Sequence, residues 1–320
     1  MALLLRAARR PSAALAALIE RARPWLLPSP TMPRRWWPPA IGLGYIALIG
    51  ALGGLGPQHV VLGGLGLLDA YNEKTRLFLR TCLPFIVTGA IYDSLRYYLA
   101  AGIAGRVHVA GPYLLERAWF GIGGHTLNEV FAVHHGPLVD LVTGAAYLLY
   151  VAEYLNLAIL ELFAGRVANA AVFARCFFAV NVLGMATYFV YPAAPPWYVA
   201  AHGLGPAQMT AVPSEAAAHR FDALLGTHLF EGVYGHSVEV FGAIPSLHVA
   251  YPLMAAILAF QIRSLRWARW PAVIYAAIMC LAAVYLQHHY VIDVLIGLAY
   301  GAAVVVVVQA WGRRRAASMA

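Results

Sequence analysis

The sequence predicts an all-α protein that crosses a membrane several times, and three observations carry that reading. Of its 320 residues, 62% are hydrophobic and 11% are charged, against about 25% charged in a typical soluble domain. The mean hydropathy is +0.69. The apolar residues gather in long runs separated by short polar or arginine-bearing connectors. A surface this poor in charge does not stay dissolved, so most of the exterior faces lipid.

Taken in order, residues 1–40 hold seven arginines, several prolines and short apolar patches. The alternation of Ala and Leu with Arg up to Arg23 fits an amphipathic helix lying on the membrane. A cleavable signal peptide fits less well, because no uninterrupted apolar stretch with a small-residue cleavage site follows the charges. Apolar runs then come at 40–68, 78–100, 138–164, 170–191, 248–262, 271–287 and 290–311. A span needs about 20 apolar residues, so a bundle of roughly six to eight spans is expected. Gly56, Pro57, Gln58 and His59 interrupt the first run, which reads either as one long span or as two short passes. The last two runs are parted only by Gln287, His288 and His289, and together are too long for one helix, so they form a tight helical hairpin. The expected organisation is a basic segment 1–40, a membrane domain 41–311 and a basic tail 312–320.

Arginine bias sets the orientation. Arg263, Arg266 and Arg269 in one connector and Arg313, Arg314 and Arg315 at the C-terminus belong on the cytoplasmic side. Segments 101–137 and 192–245, and the turn at His288 and His289, then lie outside. A single span at 40–68 would place the arginine-rich N-terminus outside, so two short passes or a re-entrant segment are favoured there.

The formal charge of +8 does not indicate a nucleic-acid partner. The cations sit at the termini and in connectors, as anchors against anionic lipid, with no basic groove of interleaved aromatics. Cys82, Cys176 and Cys280 lie singly in apolar runs and fit neither a disulfide framework nor a zinc site.

The chemistry concentrates in two segments. Gly242-Ala-Ile-Pro-Ser-Leu-His248 opens one span and His288-His-Tyr-Val-Ile-Asp293 opens another. One out-and-back hairpin joins them on the same outer face. Ionisable groups at membrane depth are costly and are functional candidates by default. His289 and Asp293, four apart, share one helical face, so the carboxylate can orient the imidazole and leave its other nitrogen free to attack. His248 can then act as general acid and base. Ser246 and the first amides of its helix would offer donors to a phosphate, with Pro245 at the helix start. The competing readings are interfacial or core histidines, and a zinc site on the same three residues.

Pro245-Ser246-Leu247-His248 followed by His289-x-x-x-Asp293 resembles the second and third signature motifs of the phosphatidic acid phosphatase type 2 superfamily. The Pro-Ser-Leu-His variant, the doubled His288-His289-Tyr290 and the upstream Tyr191-Pro-Ala-Ala-Pro-Pro-Trp197 resemble its aureobasidin-resistance branch, which contains inositol phosphorylceramide synthases. The resemblance covers about residues 70–311. It implies a six-helix catalytic core that needs neither metal nor cofactor. It implies a phosphohistidine at His289, oriented by Asp293, with His248 protonating the leaving group. The implied partners are a phospholipid donor and a lipid acceptor, and the implied reaction moves an inositol phosphate-like head group between them. The alternative is a lipid phosphate phosphatase in which water resolves the same intermediate. A transporter or scaffold is a further rival, although no pair of broken helices in inverted halves supports it.

This sequence departs from the superfamily pattern in two places. Ala282 and Ala283 stand where a Ser-Arg pair is usual, and the lysine-bearing first motif has no clean counterpart, with only Lys74 and Arg80 near its spacing. Other groups must therefore hold the phosphate. Arg96, at the outer end of its run, is the expected cation, with His236, Tyr290 and Trp197 as further substrate contacts. His134 and His135 before Pro137 read as a polar cap, and Asp140 and Glu153 fall in a span and need partners.

Overall fold

The computed structural model describes Glu20, residues 36–235, Ser237 and residues 239–318. The basic N-terminal segment falls almost wholly outside the described residues, and so does His236. All regular structure among the described residues is helical, apart from three isolated β-bridges. The chain forms two compact units that divide between Leu83 and Pro84.

In the first unit the apolar run at 40–68 becomes two short helices, α1 (Trp37–Ala51) and α2 (Pro57–Gly64). The break comes at Gly53–Gly56, just ahead of the polar interruption. The helices touch backbone to backbone, since a Cβ on Gly42 would lie 2.0 Å from the Gly63 carbonyl oxygen. Helix α3 (Glu73–Ser94) follows, and the boundary between the units falls within it.

The second unit holds both histidine-bearing segments, 242–248 and 288–293. Short helices α4 (Ala110–Phe120) and α5 (Leu127–Val133) lead into two long helices, α6 (Pro137–Phe163) and α7 (Val167–Val190). A connector follows with α8 (Pro196–His202), α9 (His219–Leu225) and α10 (Leu229–Gly235). The chain ends in α11 (Leu247–Gln261), α12 (Arg269–Tyr285) and α13 (Val291–Ala317). Four stretches are long and apolar enough to cross a membrane: 137–163, 167–190, 263–285 and 291–315. Helices α1 and α11 are apolar but shorter. These helices, in a chain so rich in apolar surface, make it an integral membrane protein.

Local chemistry sets the helix ends. Pro137 occupies the first turn of α6 behind Gly136, where its missing N–H costs nothing. Thr126 caps α5 in a reciprocal box with Glu129. Ser246, not Pro245, occupies the N-cap position of α11.

The core of this unit is built around α6, α7, α11 and α13, with Tyr154, Phe173 and Leu258 fully buried. Cys176 is buried in the same cluster as a free thiol. Helices α11 and α13 cross closely because Gly297 and Gly301 present no side chain. A Cβ on Gly297 would lie 2.2 Å from the Ser246 carbonyl oxygen. In a lipid environment, where apolar surface gains little from hiding, such small-residue contacts let helices associate through backbone packing.

The connector is pinned to the helices by charge. Asp140, in the first turn of α6, pairs with Arg220, whose Nε lies 2.9 Å from its Oδ1, and accepts a hydrogen bond from the Tyr285 hydroxyl at 2.8 Å. His135 Nδ1 lies 3.7 Å from its other oxygen. Asp222 accepts the Leu229 and Phe230 N–H groups at 3.0 and 2.8 Å and so caps α10. Tyr191–Trp197 is held by parallel bridges, with Ala193 between His108 and Gly242. The upstream motif is thereby laid against the segment that leads into His248.

Candidate active site

Three helix ends meet at the site: the start of α11, the end of α12 and the start of α13. The connector carrying Arg263, Arg266 and Arg269 and the tail carrying Arg313–Arg315 are at the far ends of the same helices. The hairpin geometry therefore puts the histidines and these arginines at opposite ends of the bundle.

His248 Nδ1 lies 3.1 Å from His289 Nε2. His289 Nδ1 lies 2.9 Å from the Ala243 carbonyl oxygen. A carbonyl only accepts, so Nδ1 of His289 carries the proton and Nε2 carries the lone pair. It follows that His248 donates from Nδ1 to that lone pair. The two rings form a directed chain, with a nucleophilic nitrogen facing a proton donor.

Asp293 is fully buried, and its Oδ2 lies 3.7 Å from His289 Nδ1, beyond hydrogen-bond reach. That oxygen accepts the Tyr290 N–H at 2.8 Å, and Oδ1 has no hydrogen-bond partner among the described residues. The sequence places the orienting acceptor at Asp293, whereas in this structure the direct acceptor is the Ala243 carbonyl. Asp293 stands behind that contact, with its Oδ2 near the same ring nitrogen.

Aromatic rings fix the histidine planes. Tyr234, His288, Tyr147 and His248 stack in that order, with centroid separations of 4.8, 4.9 and 4.2 Å and interplanar angles of 7°, 16° and 16°. Tyr150 flanks His248 at 4.3 Å. Burial pushes the His288 imidazole down to about 3, so it stays neutral at physiological pH. Its Nδ1 meets the Tyr234 hydroxyl at 3.3 Å, and its Nε2 has no partner among the described residues.

The turn bearing His289 is buttressed from the 101–137 segment. Asn128 Nδ2 donates to the carbonyls of Val284 at 2.8 Å and His289 at 3.0 Å. Glu116, fully buried, receives the Ile292 N–H at 3.4 Å at the start of α13, and burial raises its carboxyl above the usual range.

A cavity of about 360 Å³ opens onto His248, His288 and His289. Its wall is largely apolar, with Phe85, Leu155, Phe177 and Met185. No Arg or Lys lines it among the described residues.

The expected substrate contacts are not all brought together. Trp197 lines the cavity. Ser246 does not line the cavity; it is fully buried, and its N–H is taken by the Asp293 carbonyl at 3.1 Å, so that amide is not available to a phosphate. Tyr290 faces a neighbouring cavity of about 340 Å³ instead. Arg96 does not line the catalytic cavity, and its guanidinium is tied to the Asp93 carboxylate three residues away. An arginine at the end of a run looks identical in sequence whether it reaches a ligand or its own helical neighbour. The tyrosines were legible in principle, since Tyr147, Tyr150 and Tyr154 recur at helical spacing along one face of α6.

A family model described as the PAP2 superfamily matches residues 87–308. The chain belongs to the PAP2 superfamily. Among similar proteins, the phosphoinositol dihydroceramide synthase of Bacteroides thetaiotaomicron is 34% identical over 79% of this chain and 84% of that protein. The inositol phosphorylceramide synthase catalytic subunit AUR1 of Saccharomyces cerevisiae is 30% identical over 75% of this PAP2 chain and 57% of its own length. Its Schizosaccharomyces pombe counterpart is 29% identical over 55% and 41%. The alignments thus span less than two thirds of these fungal relatives. No solved structure matches this PAP2 chain.

Proposed function

We propose that this PAP2 chain is a membrane lipid phosphotransferase that moves a phosphoinositol-type head group from a phospholipid to the hydroxyl of a ceramide- or diacylglycerol-type lipid. The observation that carries the reading is the directed contact from His248 to the lone pair of His289, beside a cavity with an apolar wall and no lining Arg or Lys among the described residues.

The steps follow from the geometry. The donor phosphate enters between the two rings and displaces their mutual hydrogen bond. With His248 protonated on both ring nitrogens once the anionic donor is bound, Nε2 of His289 attacks phosphorus, the P–O bond to the diacylglycerol breaks, and His248 delivers its Nδ1 proton to the departing oxygen and is left as the neutral imidazole. The resulting cationic phosphohistidine is stabilised by the Asp293 charge and by the Ala243 carbonyl on Nδ1. The acceptor hydroxyl then attacks phosphorus, the P–N bond breaks, and the hydroxyl proton passes to His248. Ping-pong kinetics follow.

Transfer fits this cavity better than hydrolysis of a phosphomonoester. A diester carries one negative charge and a monoester close to two, and the described cavity wall offers no fixed cation to balance the second. The names of the relatives point the same way, to phosphoinositol and ceramide. By the arginine count the site faces away from the cytoplasm and the C-terminus faces it.

The deciding experiment supplies purified protein with phosphatidylinositol and fluorescent ceramide. Inositol phosphorylceramide is the expected product, and release of free phosphate or inositol phosphate alone would overturn the transferase reading.

A further inference from the structure

The only acidic side chain on the wall of the catalytic cavity, among the described residues, is Glu239, in the connector just ahead of α11. Its placing is defined by Gly242. A Cβ built on that glycine would lie 2.4–2.7 Å from the Glu239 carboxyl atoms, so the carboxyl group rests directly on the Gly242 backbone. The next residue, Ala243, supplies the carbonyl that holds His289. Glu239 thus stands two short steps from the nucleophile.

A carboxylate beside a phosphate is repulsive, so it does not serve the anion. Nor is it tied up as scaffold. Among the described residues no side chain and no backbone N–H bonds to its carboxyl group, whereas Asp140, Glu161 and Asp222 each have several such partners. Hydroxyls of Ser237, Tyr234 and Tyr188 share the same cavity. This wall is built of groups that both donate and accept hydrogen bonds. We infer that Glu239 is the specificity-determining contact for the head group, binding the hydroxyls of an uncharged polyol such as an inositol ring.

The inference rests on the reading of this cavity as the donor site. Burial pushes the Glu239 carboxyl up to about 8. At neutral pH it is therefore an uncharged acid, with one O–H to give and one carbonyl oxygen to accept. Two neighbouring ring hydroxyls present the complementary pattern. A quaternary ammonium head group is the opposite case, because it needs an ionised carboxylate and aromatic faces. The aromatic faces are present here, so choline is the informative competitor.

The test uses the purified full-length chain and two soluble phosphodiesters, glycerophosphoinositol and glycerophosphocholine, with binding followed by calorimetry. The unmodified protein is expected to bind the inositol diester at least about tenfold more tightly, as befits a site whose buried polar groups go unpaired with the wrong ligand. Glu239→Ala should weaken the inositol diester about tenfold and leave the choline diester within about twofold. Glu239→Gln keeps one donor and one acceptor and should hold inositol binding within about threefold. Gly242→Ala displaces the carboxyl group without deleting it and should show the same selectivity loss as Glu239→Ala, which preserves the test if that variant fails to fold. Equal or better choline binding by the unmodified protein overturns the inference, and so does equal weakening of both ligands in Glu239→Ala. If the protein transfers no head group to ceramide yet shows this binding pattern, the transferase reading falls and the role of Glu239 stands.

Discussion

Glu161 and Glu239 are both acidic residues drawn into a protein that has few, and they are treated in opposite ways. Glu161 lies near the C-terminal end of α6, fully buried, and both its oxygens are occupied. Arg166 grips it with two hydrogen bonds of 2.8 Å, Asn169 adds one at 2.6 Å, and Ser264 reaches both oxygens at 2.9 Å. The cluster ties the α6–α7 turn to the connector between α11 and α12. Glu239 belongs to the histidine-bearing end and stands in a cavity with no described cation beside it. Burying a charge is tolerated only when it is paired. A carboxyl group left without that compensation marks a place where the structure waits for a ligand. Asp140 shows that the difference is one of role and not of location, since at the site end it too is fully engaged, by Arg220 and Tyr285.

The sharpest way to separate the two ends is to remove the chemistry. His289→Ala should reduce head-group transfer by about 10⁴-fold or more with an unchanged unfolding midpoint, because it removes the proposed nucleophile. His248→Ala should be as damaging with a lipid donor but recover much of its rate with a donor whose leaving group needs no proton, such as a nitrophenyl diester. If both variants respond alike to that donor, the roles assigned to the two rings are wrong.

The opposite signature is expected at the other end. Arg166→Ala leaves the Glu161 carboxylate without its cation and should lower the unfolding midpoint. Thermal unfolding in detergent would read this, while the donor preference should be untouched. A changed preference would break the contrast between the ends.

Asn128→Ala should fall between these cases. Freeing the carbonyls of Val284 and His289 lets the nucleophile drift, and misplacement of about 1 Å is worth roughly 10²-fold in rate. We expect kcat to fall about 10- to 100-fold with KM within about twofold. A rise in KM alone would mean that Asn128 shapes the pocket and not the turn.

The smallest effect concerns pH. The Glu239 carboxyl is raised from its usual value to about 8 in the folded protein. Between the unfolded value near 4.5 and about 8 the folded state holds the extra proton, so stability falls as pH rises through that window and levels off above it. Glu239→Gln should flatten that slope in unfolding midpoints measured from pH 5 to 9.

Much of this was legible in the sequence because it depends on composition and period. Membrane helices, the hairpin joining His248 to His289, and the arginine-bearing ends all follow from where apolar runs start and stop. The motif residues were also legible, because a histidine and an aspartate four apart on an apolar helix have few inexpensive alternatives. The Arg96 expectation shows the limit, since charge and position along a run do not reveal that a side chain is already held by Asp93 three residues back.

Sequence by itself therefore determined the class of this protein, its helical segments and the three ionisable residues proposed to carry its chemistry. Only the tertiary structure decided which groups complete them. The Ala243 carbonyl is invisible as a functional group in sequence, since every residue has one. It matters because Gly297 lets α13 close onto α11, and because the bridge between Ala193 and Gly242 holds the segment whose carbonyl meets His289. The ring stack through Tyr234 and Tyr147, the Asn128 buttress and the uncompensated Glu239 arise in the same way. Each joins residues tens of positions apart, through directions and distances that a one-dimensional pattern does not contain.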